Sequence, residues 1–178
     1  MTEDALGRDR LGELLDVYDE AVPQVYGYLV RRCPTDALAE DLTAETFLAA
    51  VDACRRGTVT RPTPAWLVTI ARNKLVDHWR RVAREERGLR LAAEDATTDA
   101  SEWESALDEQ RVLATLDRLG PHHQAALTLR YLDNLSVPEV AEYLGRTVHA
   151  TEALLVRARS AFRKQYAAHD QAGGGTGG

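Results

Sequence analysis

The sequence predicts an all-α protein, and two observations support this expectation. Leucine, alanine, arginine and glutamate dominate the 178 residues while aromatic residues are few, and this composition favours helices over sheets. Apolar residues recur at three- and four-residue spacing through most of the chain, which is the period of a helix that buries one face. Glycine and proline divide this pattern into the helices that follow.

The first helical stripe extends from Leu11 to Leu29. Pro23 lies inside it, and because proline lacks an amide proton and crowds the preceding turn, we expect a kink or two abutting helices at that residue. The sequence Pro-Thr-Asp at residues 34–36 ends this segment, and its threonine or aspartate should cap the next helix.

The second segment, residues 36–56, is apolar on almost every side and also carries acidic residues. A helix of this kind is either the central helix of its domain or docks a partner as well as its own core. Both alternatives fit the pattern. The apolar residues are Leu38, Leu42, Phe47, Leu48 and Val51, and the acidic ones are Asp36, Glu40, Asp41, Glu45 and Asp52.

A loop of sequence GTVTRPT, residues 57–63, precedes the third segment. Thr63 followed by Pro64 is typical of a helix N-terminus. The arginines of this helix either form a solvated end that complements the helix dipole or bind a partner. The short, neutral Asn73 in this basic neighbourhood is better explained as a hydrogen-bonding contact. The inward stripe should contain Leu67, Ile70, Ala71, Leu75 and His78.

Helical period is lost over residues 88–105, where acidic and small residues predominate, so we predict a flexible linker there. The period returns over residues 107–119, and the pair Gly120-Pro121 separates it from a further helix over residues 123–132. The paired histidines at 122 and 123 should lie on the surface. The glycine-rich end of the chain should be disordered.

The stretch over residues 135–164 predicts two helices joined by a tight turn. Ser136 and Glu139 have the spacing of a capping box. Gly145 supplies the positive φ at which a helix ends, and Thr147 can cap the second helix. That helix should bury Thr151, Leu155, Ala158 and Phe162 and direct His149, Glu152, Ala153, Val156, Ser160 and Arg163 outward. The arrangement is typical of a helix-turn-helix that binds DNA, while an ordinary helical hairpin with a solvated face has the same pattern.

The net charge of −6 is unusual for a domain that binds DNA alone, because neutralising phosphates supplies most of such affinity. The charge is segregated along the chain. Basic blocks at residues 72–90 and 146–166 flank a segment, residues 94–109, that contains seven acidic residues and no basic one. This pattern indicates two nucleic-acid contacts joined by a linker, and a large partner that helps the acidic protein hold DNA.

Several classes of protein are disfavoured by motifs that the sequence lacks. Cys33 and Cys54 have no companions at ligand spacing, so we expect two buried, reduced thiols on helices and no metal site. We expect no catalytic residues and no cofactor, since no phosphate loop, metal cluster or nucleophile–base pair occurs. No apolar run reaches the length of a membrane span and the N-terminus is acidic, so we expect a cytoplasmic protein without membrane insertion.

Two stretches resemble a known family, the extracytoplasmic-function sigma factors of bacterial RNA polymerase. Their second conserved region is similar to AEDLTAETFLAAV followed by PAWLVTIARNKLVDHWRR. Their fourth region is similar to LATLDRLGPHHQAALTLRYLDNLSVPEVAEYLGRTVHATEALLVRAR. The resemblance implies a region 2 domain at residues 8–87, a flexible acidic linker at 88–105, a region 4 domain with the helix-turn-helix at 106–167, and a disordered tail at 168–178.

The resemblance also implies partners and contact residues. The partners would be core RNA polymerase, through its β′ clamp and β flap, promoter DNA and an anti-sigma factor. Polymerase docking would use Glu40, Asp41, Leu42, Glu45 and Phe47. Contacts with the −10 element would come from the loop at residues 57–63 and from Trp66, Arg72, Asn73, Asp77, Arg80 and Arg81. Contacts with the −35 element would come from Arg146, Thr147, His149, Glu152, Arg157 and Arg159.

One alternative from another class remains open at this point. A stand-alone transcriptional regulator would combine the helix-turn-helix with an N-terminal sensing or dimerisation domain. Such a protein needs a ligand pocket or a dimer interface, and this reading leaves the basic helix over residues 66–81 unexplained.

Overall fold

The computed structural model describes residues 3–89 and 109–173, with side chains at 10–86 and 109–168. These residues form eight α-helices, one of which continues into a π-helical turn, and no strand. The all-α prediction is therefore confirmed. The described chain divides into two compact units, the first ending at Asp77 and the second beginning at His78, within one helix. The predicted linker lies outside the described residues from residue 90 onward.

The first unit contains α1 (Glu3–Asp16), α2 (Tyr18–Val30), α3 (Asp36–Arg55) and the first half of α4 (Pro64–Leu89). Helices α1 and α2 both pack on α3. α3 begins at its predicted cap, because the Thr35 hydroxyl accepts a hydrogen bond of 3.3 Å from the Leu38 amide. α4 begins in the same way, with the Thr63 hydroxyl accepting from the Trp66 amide at 3.2 Å. The two threonine caps thus fix the start of α3 and the start of α4, on either side of the loop at residues 57–63.

The break predicted at Pro23 lies elsewhere. α1 and α2 are separated at Val17, and Pro23 lies on an exposed side inside α2. A proline removes one hydrogen bond and crowds the carbonyl four residues earlier, which here is that of Asp19 in the first turn of α2. The disturbance therefore falls upstream of the proline, toward Val17, and the rest of α2 continues as a regular helix.

α3 buries a stripe of mostly small residues at helical spacing, namely Ala39, Leu42, Thr46, Ala50 and Cys54. The buried Thr46 hydroxyl has its hydrogen-bond partner within the same helix, since it donates to the Leu42 carbonyl at 2.7 Å. Small side chains let α1 and α2 approach α3 closely, so this helix is central in its unit. Both cysteines are buried as predicted, although Cys33 lies in the turn after α2 and only Cys54 is on a helix.

The inward stripe of α4 differs from the prediction in part. Leu67, Ala71 and Leu75 are buried as expected. Ile70 and His78, also predicted inward, are only half-buried, whereas Val76 and Trp79 are buried at 2% and 3% exposure. The large indole contributes far more apolar area than imidazole, so the helix turns the tryptophan inward.

The second unit contains α5 (Glu109–Leu116), α6 (Pro121–Leu127), a π-helical turn (Thr128–Leu132), α7 (Val137–Leu144) and α8 (Val148–Gly173). α8 packs against α5, α6 and α7, and is the central helix of this unit. Its core consists of Leu116, Leu119, Ala126, Leu127, Leu154, Leu155, Ala158 and Phe162. The inward residues predicted for α8 are thus buried, together with Leu154.

Three further predictions for this unit are corrected by the structure. The helix predicted from residue 123 starts at Pro121, because proline is preorganised for the first helical position. His122 and His123, predicted at the surface, are half-buried. Helix α8 extends to Gly173, although the disordered tail is predicted from residue 168, because alanines at 167 and 168 sustain the helix until the glycine run.

Candidate functional site

The outward face of α3 combines acidic residues with one exposed leucine. Asp41, Glu45, Leu48 and Asp52 follow at helical spacing on the side opposite the buried stripe, and the three acids are exposed. Leu48 is 69% exposed. A large apolar side chain in an acidic row is what distinguishes this face from an ordinary solvated one.

Aromatic side chains extend this surface toward the junction of α1 and α2. Phe47 is half-buried, and its ring lies 5.1 Å from that of Tyr18 in a tilted arrangement. Tyr18 is 46% exposed and Leu15 is 73% exposed. We call Leu15, Tyr18, Phe47 and Leu48 the apolar patch.

The residues predicted to dock the polymerase do not all lie on the surface. Glu40, Asp41 and Glu45 are exposed, and Glu45 approaches the ammonium group of Lys74 on α4 at 3.6 Å. Leu42 is only 2% exposed, because it belongs to the buried stripe of α3. Its side chain therefore holds the helix to its core, while the exposed Leu48, seen in the sequence only as one apolar residue among several, presents apolar surface.

α4 brings most of the predicted −10 contact residues onto one face. In helical projection Trp66, Asn73, Asp77, Arg80 and Arg81 fall within an arc of about 100°. Asn73, Asp77 and Arg81 are exposed, while Trp66 and Arg80 are half-buried. Arg72 lies on another side of the helix, where its guanidinium carbon is 5.9 Å from the ring centre of Tyr28 on α2.

The loop at residues 57–63 has one end fixed by backbone conformation. Gly57 adopts a φ of +67°, a conformation that residues with a side chain rarely adopt, so the backbone favours glycine there. Val59 and Pro62 are buried beneath the loop, whereas Thr60 and Arg61 are exposed. The loop therefore exposes the Thr60 hydroxyl and the Arg61 guanidinium, while its buried residues hold it against the unit.

The helix-turn-helix has the predicted local structure. The Glu139 carboxylate accepts hydrogen bonds from the Ser136 amide at 2.7 Å and from its hydroxyl at 2.6 Å, at the start of α7. Gly145 ends α7 with φ +62°, and the Thr147 hydroxyl accepts from the Ala150 amide at 3.2 Å. The capping box thus fixes the start of α7, and the left-handed glycine and the Thr147 cap fix the turn between α7 and α8.

The outward side of α8 is polar at its N-terminus. His149 and Glu152 are exposed, and Nδ1 of the histidine lies 3.9 Å from the carboxylate. Arg146 is half-buried and Thr147 exposed. The predicted DNA-contacting side chains of this first turn therefore lie together at the helix start, which is where recognition helices meet base edges.

Two of the arginines predicted to contact the −35 element lie farther along α8 and are not fully exposed. Arg157 is half-buried; burial lowers the pKa of His123 on α6, and the charge of Arg157 lowers it further. Arg159 is also half-buried and donates a hydrogen bond of 3.2 Å to the Tyr131 hydroxyl. The structure thus separates these arginines from the group at the helix start.

An apolar groove in the second unit was not predicted from the sequence. It has a volume of about 190 Å³, with Tyr131 and Leu132 at its exposed edge. Its remaining lining comes from Val112, Leu116, Leu127, Arg159 and Phe162. The groove arises where three helices meet around the π-helical turn, a juxtaposition that periodicity within each helix does not reveal.

The described residues contain neither a metal-binding cluster nor a membrane-spanning helix. Within 3–89 and 109–173, no group of three or more histidine, cysteine, aspartate or glutamate side chains is arranged to hold a metal ion. Within the same ranges, no helix is sufficiently long and apolar for a membrane span.

Comparison with known proteins places both units in one family. The family model for Sigma-70 region 2 matches residues 17–85, and that for Sigma-70, region 4, matches residues 109–162. The chain is 41% identical to the ECF RNA polymerase sigma factor BldN of Streptomyces coelicolor, over 84% of this chain and 58% of the relative. It is 32% identical to the ECF RNA polymerase sigma factor SigL of Mycobacterium tuberculosis, over 72% of this chain and 75% of that protein.

A solved structure supports the fold. The sigma factor RpoE of Bartonella quintana, crystallised with the anti-sigma factor NepR, matches with a TM-score of 0.52 at 23% identity, covering 89% of this chain and 96% of that one. The chain spans somewhat more than half of the length of BldN, namely 58%. The two matched regions, in their order along the chain, and the identity to SigL show that this chain belongs to the extracytoplasmic-function sigma factors of bacterial RNA polymerase.

Proposed function

We propose that this protein binds core RNA polymerase through α3 and directs it to promoters with the −10 and −35 elements that its two units recognise. The observation that carries the proposal is Leu48, 69% exposed within a row of acids on a helix whose opposite face is buried. Burying one leucine in a partner gains about 1.5–3 kcal/mol. The acids around it select a basic partner surface and speed its approach.

The docking surface in this proposal consists of Glu40, Asp41, Glu45 and Phe47, with Leu48 added from the structure. Its partner is the β′ clamp of the polymerase. The apolar patch supplies the buried centre of the interface and the acids supply its rim, the arrangement typical of protein–protein interfaces. Leu42 supports this surface from below.

The −10 element is assigned to the exposed face of α4 and the adjoining loop. Asn73 and Asp77, both exposed, can exchange hydrogen bonds with bases. Arg80 and Arg81 supply positive charge to the phosphates at the same face. The loop at residues 57–63 and Trp66 would contact the strand that separates when the element melts.

The −35 element is assigned to the start of α8. His149 and Glu152 are exposed one turn apart, so both can reach base edges in the major groove. Thr147 serves mainly as the cap that fixes the start of the helix. Arg146, Arg157 and Arg159, which are all half-buried, would contact phosphates.

The apolar groove of the second unit is the best candidate for the β flap. It is lined almost entirely by apolar side chains, and its edge residues Tyr131 and Leu132 are 50% and 37% exposed. An apolar helix face fits such a groove. An anti-sigma factor would hold the protein inactive by covering the same docking surfaces.

The proposal places the protein in the cytoplasm, as a transcription initiation factor that performs no catalysis of its own. It also accounts for the net charge of −6. An acidic protein with two basic patches binds DNA weakly by itself. Once held on the polymerase, both patches act at high effective concentration on adjacent promoter elements.

Co-purification with core polymerase tests the docking surface. The double variant Asp41→Arg, Glu45→Arg should lose core binding while its helical content stays unchanged, since both side chains are exposed. The matched control is Glu85→Arg, Glu86→Arg, which makes the same charge change at exposed positions on α4 and should still bind core enzyme. Equal core binding by both double variants would refute the assignment of α3.

Promoter binding with and without core polymerase tests the function as a whole. We expect the protein alone to cause no sequence-specific change in the electrophoretic mobility of promoter DNA. The reconstituted holoenzyme should cause such a change and should transcribe from the same promoter. Tight specific binding without the polymerase would instead identify a stand-alone regulator.

A further inference from the structure

Two arginines lie against one tyrosine ring in the first unit, and a third arginine follows one helical turn after that tyrosine. The guanidinium carbon of Arg32 lies 3.9 Å from the centre of the Tyr28 ring, and that of Arg72 lies 5.9 Å from it. Arg31, the residue after α2, is exposed and one helical turn beyond the tyrosine. We call Tyr28, Arg31, Arg32 and Arg72 the arginine cluster.

The cluster is assembled by two helices and is held in place by backbone contacts. Arg32 donates a hydrogen bond of 2.9 Å to the Tyr28 carbonyl, one of the acceptors left open at the end of α2. Arg72 comes from α4, so it reaches the same ring from a different part of the chain. Cation–π attraction to one ring offsets part of the repulsion between the guanidinium groups.

The position of Arg72 on α4 sets the cluster apart from the base-contacting face. In helical projection Arg72 is about 100° from its neighbour Asn73. It therefore belongs to the flank of α4 that faces α2, while Asn73 and Asp77 belong to the face assigned to the −10 bases. Contacts that flank a base-contacting face typically bind the phosphate backbone and fix the orientation of the protein on DNA.

The chemistry of the cluster favours phosphate over bases. Guanidinium groups donate several hydrogen bonds in a fork that matches phosphate oxygens. One face of the Tyr28 ring is already covered by Arg32 at 3.9 Å, which leaves less of the ring for stacking a base. Arginine side chains close to one another also favour a polyanionic ligand over a neutral one.

We propose that the arginine cluster is a second DNA contact of the first unit and binds the phosphodiester backbone beside the −10 element. The inference rests on the proposed function and deepens it, because it moves Arg72 from base recognition to backbone binding and adds Arg31 and Arg32. The ligand is a phosphodiester of either duplex or separated DNA. The cluster increases affinity for every promoter and carries no sequence preference.

Holoenzymes that carry Arg31→Ala, Arg72→Ala or both test the proposal. Promoter dissociation constants are measured over a range of salt concentrations, on duplex DNA and on DNA with a pre-melted −10 region. Each substitution should lower the slope of log affinity against log salt by about 1 and leave the preferred −10 sequence unchanged. An effect on both DNAs places the phosphate in the duplex, and an effect on the pre-melted DNA alone places it in the separated strand.

Matched variants separate the loss of charge at the arginine cluster from a general loss of charge and from misfolding. Arg118→Ala, an exposed arginine of the second unit, is the control for general loss of charge and should leave the slope unchanged. Arg72→Lys keeps the charge and should keep the slope, and Arg31→Ala, at an exposed position, still tests the proposal if Arg72→Ala fails to fold. A shift in the preferred −10 bases for Arg72→Ala would overturn the proposal in favour of base contact.

The outcome for this inference is distinguishable from that for the proposed function. If the unsubstituted protein fails to bind core polymerase, the proposed function fails. If unsubstituted holoenzyme transcribes normally and the double variant retains core binding with the full salt slope on both DNAs, the arginine cluster has no role in DNA binding.

Discussion

Helices α3 and α8 are the central helices of their units and are built alike on the inside. Each begins at a threonine cap and buries one stripe at helical spacing. Their outward sides differ. α3 presents Leu48 at 69% exposure within an acidic row, whereas the first turns of α8 present the polar His149 and Glu152.

The residues on each outward face determine what that face can bind. Exposed apolar area gains free energy only when another apolar surface covers it, so the face of α3 fits a protein. Polar side chains at a helix start exchange hydrogen bonds with base edges, so the face of α8 fits DNA. The two proposed functions would thus follow from a few outward residues on otherwise similar central helices.

The largest expected effect contrasts two leucines of α3. Leu42→Ala removes a side chain that is 2% exposed and should lower the free energy of unfolding by about 2–5 kcal/mol. Leu48→Ala should change it by less than about 0.5 kcal/mol, yet weaken co-purification with core polymerase. Denaturant unfolding and pull-down measure the two effects. Strong destabilisation by Leu48→Ala would mean that this leucine belongs to the core of the unit.

The corresponding test on α8 is Glu152→Lys. Because Glu152 is exposed near the helix start, the substitution should change which base is preferred at one position of the −35 element. The binding free energies of the competing bases at that position should change by about 1–3 kcal/mol relative to one another. Arg157→Ala should instead lower transcription from all −35 variants about equally. A randomised −35 library transcribed by each holoenzyme decides between these roles. A changed preference for Arg157→Ala with none for Glu152→Lys would reverse them.

The shared threonine caps give a smaller effect that should be similar in both units. Thr35→Ala and Thr147→Ala each remove an acceptor for one amide at a helix start, at a cost of about 1 kcal/mol each. Thr→Ser at either position keeps the hydroxyl and should retain most of the stability. Circular dichroism during denaturant titration measures this. Equal losses for Ser and Ala would show that the methyl group, and not the hydrogen bond, matters.

The smallest predicted effect depends on pH and is confined to the second unit. Burial raises the pKa of Asp117, and a hydrogen bond of 3.0 Å from Gln124 Nε2 opposes this shift. The Asp117 carboxyl therefore binds its proton more tightly in the folded protein than in the unfolded chain. The protonated carboxyl stabilises the folded state fully at pH values below the pKa of the unfolded chain, and this contribution is lost as pH rises through the pKa of the folded state. Asp117→Asn keeps an acceptor and should raise the melting temperature slightly at pH 7 but not near pH 3. An equal change at both pH values would contradict this origin.

Local signals allowed most of the helix starts to be predicted from the sequence. The caps at Thr35, Thr63 and Thr147 and the capping box at Ser136 depend only on neighbouring residues, and all are present. The same holds for the left-handed turn at Gly145. Such features are determined within one turn of helix, where sequence spacing and spatial distance coincide.

Features that depend on contacts between helices were missed. Nothing in the period of α4 indicated that Trp79 rather than His78 would be buried, or that Arg72 would reach Tyr28. Leu42 matched the family's docking helix by its position, although packing places it in the core. Periodicity defines an apolar face to within one residue, and the choice among neighbours is made by side-chain packing.

The π-helical turn at Thr128–Leu132 takes up one extra residue of chain within a single turn. The Asp133 amide bonds to the Thr128 carbonyl at 3.0 Å, five residues back, so this turn contains one residue more than an α-helical turn. Deleting one of its residues would restore an α-helical turn, which closes one residue earlier. The length of the chain can therefore vary by one residue here while the chain still enters the helix-turn-helix in nearly the same direction, whereas a deletion inside α7 would rotate all that follows by about 100°.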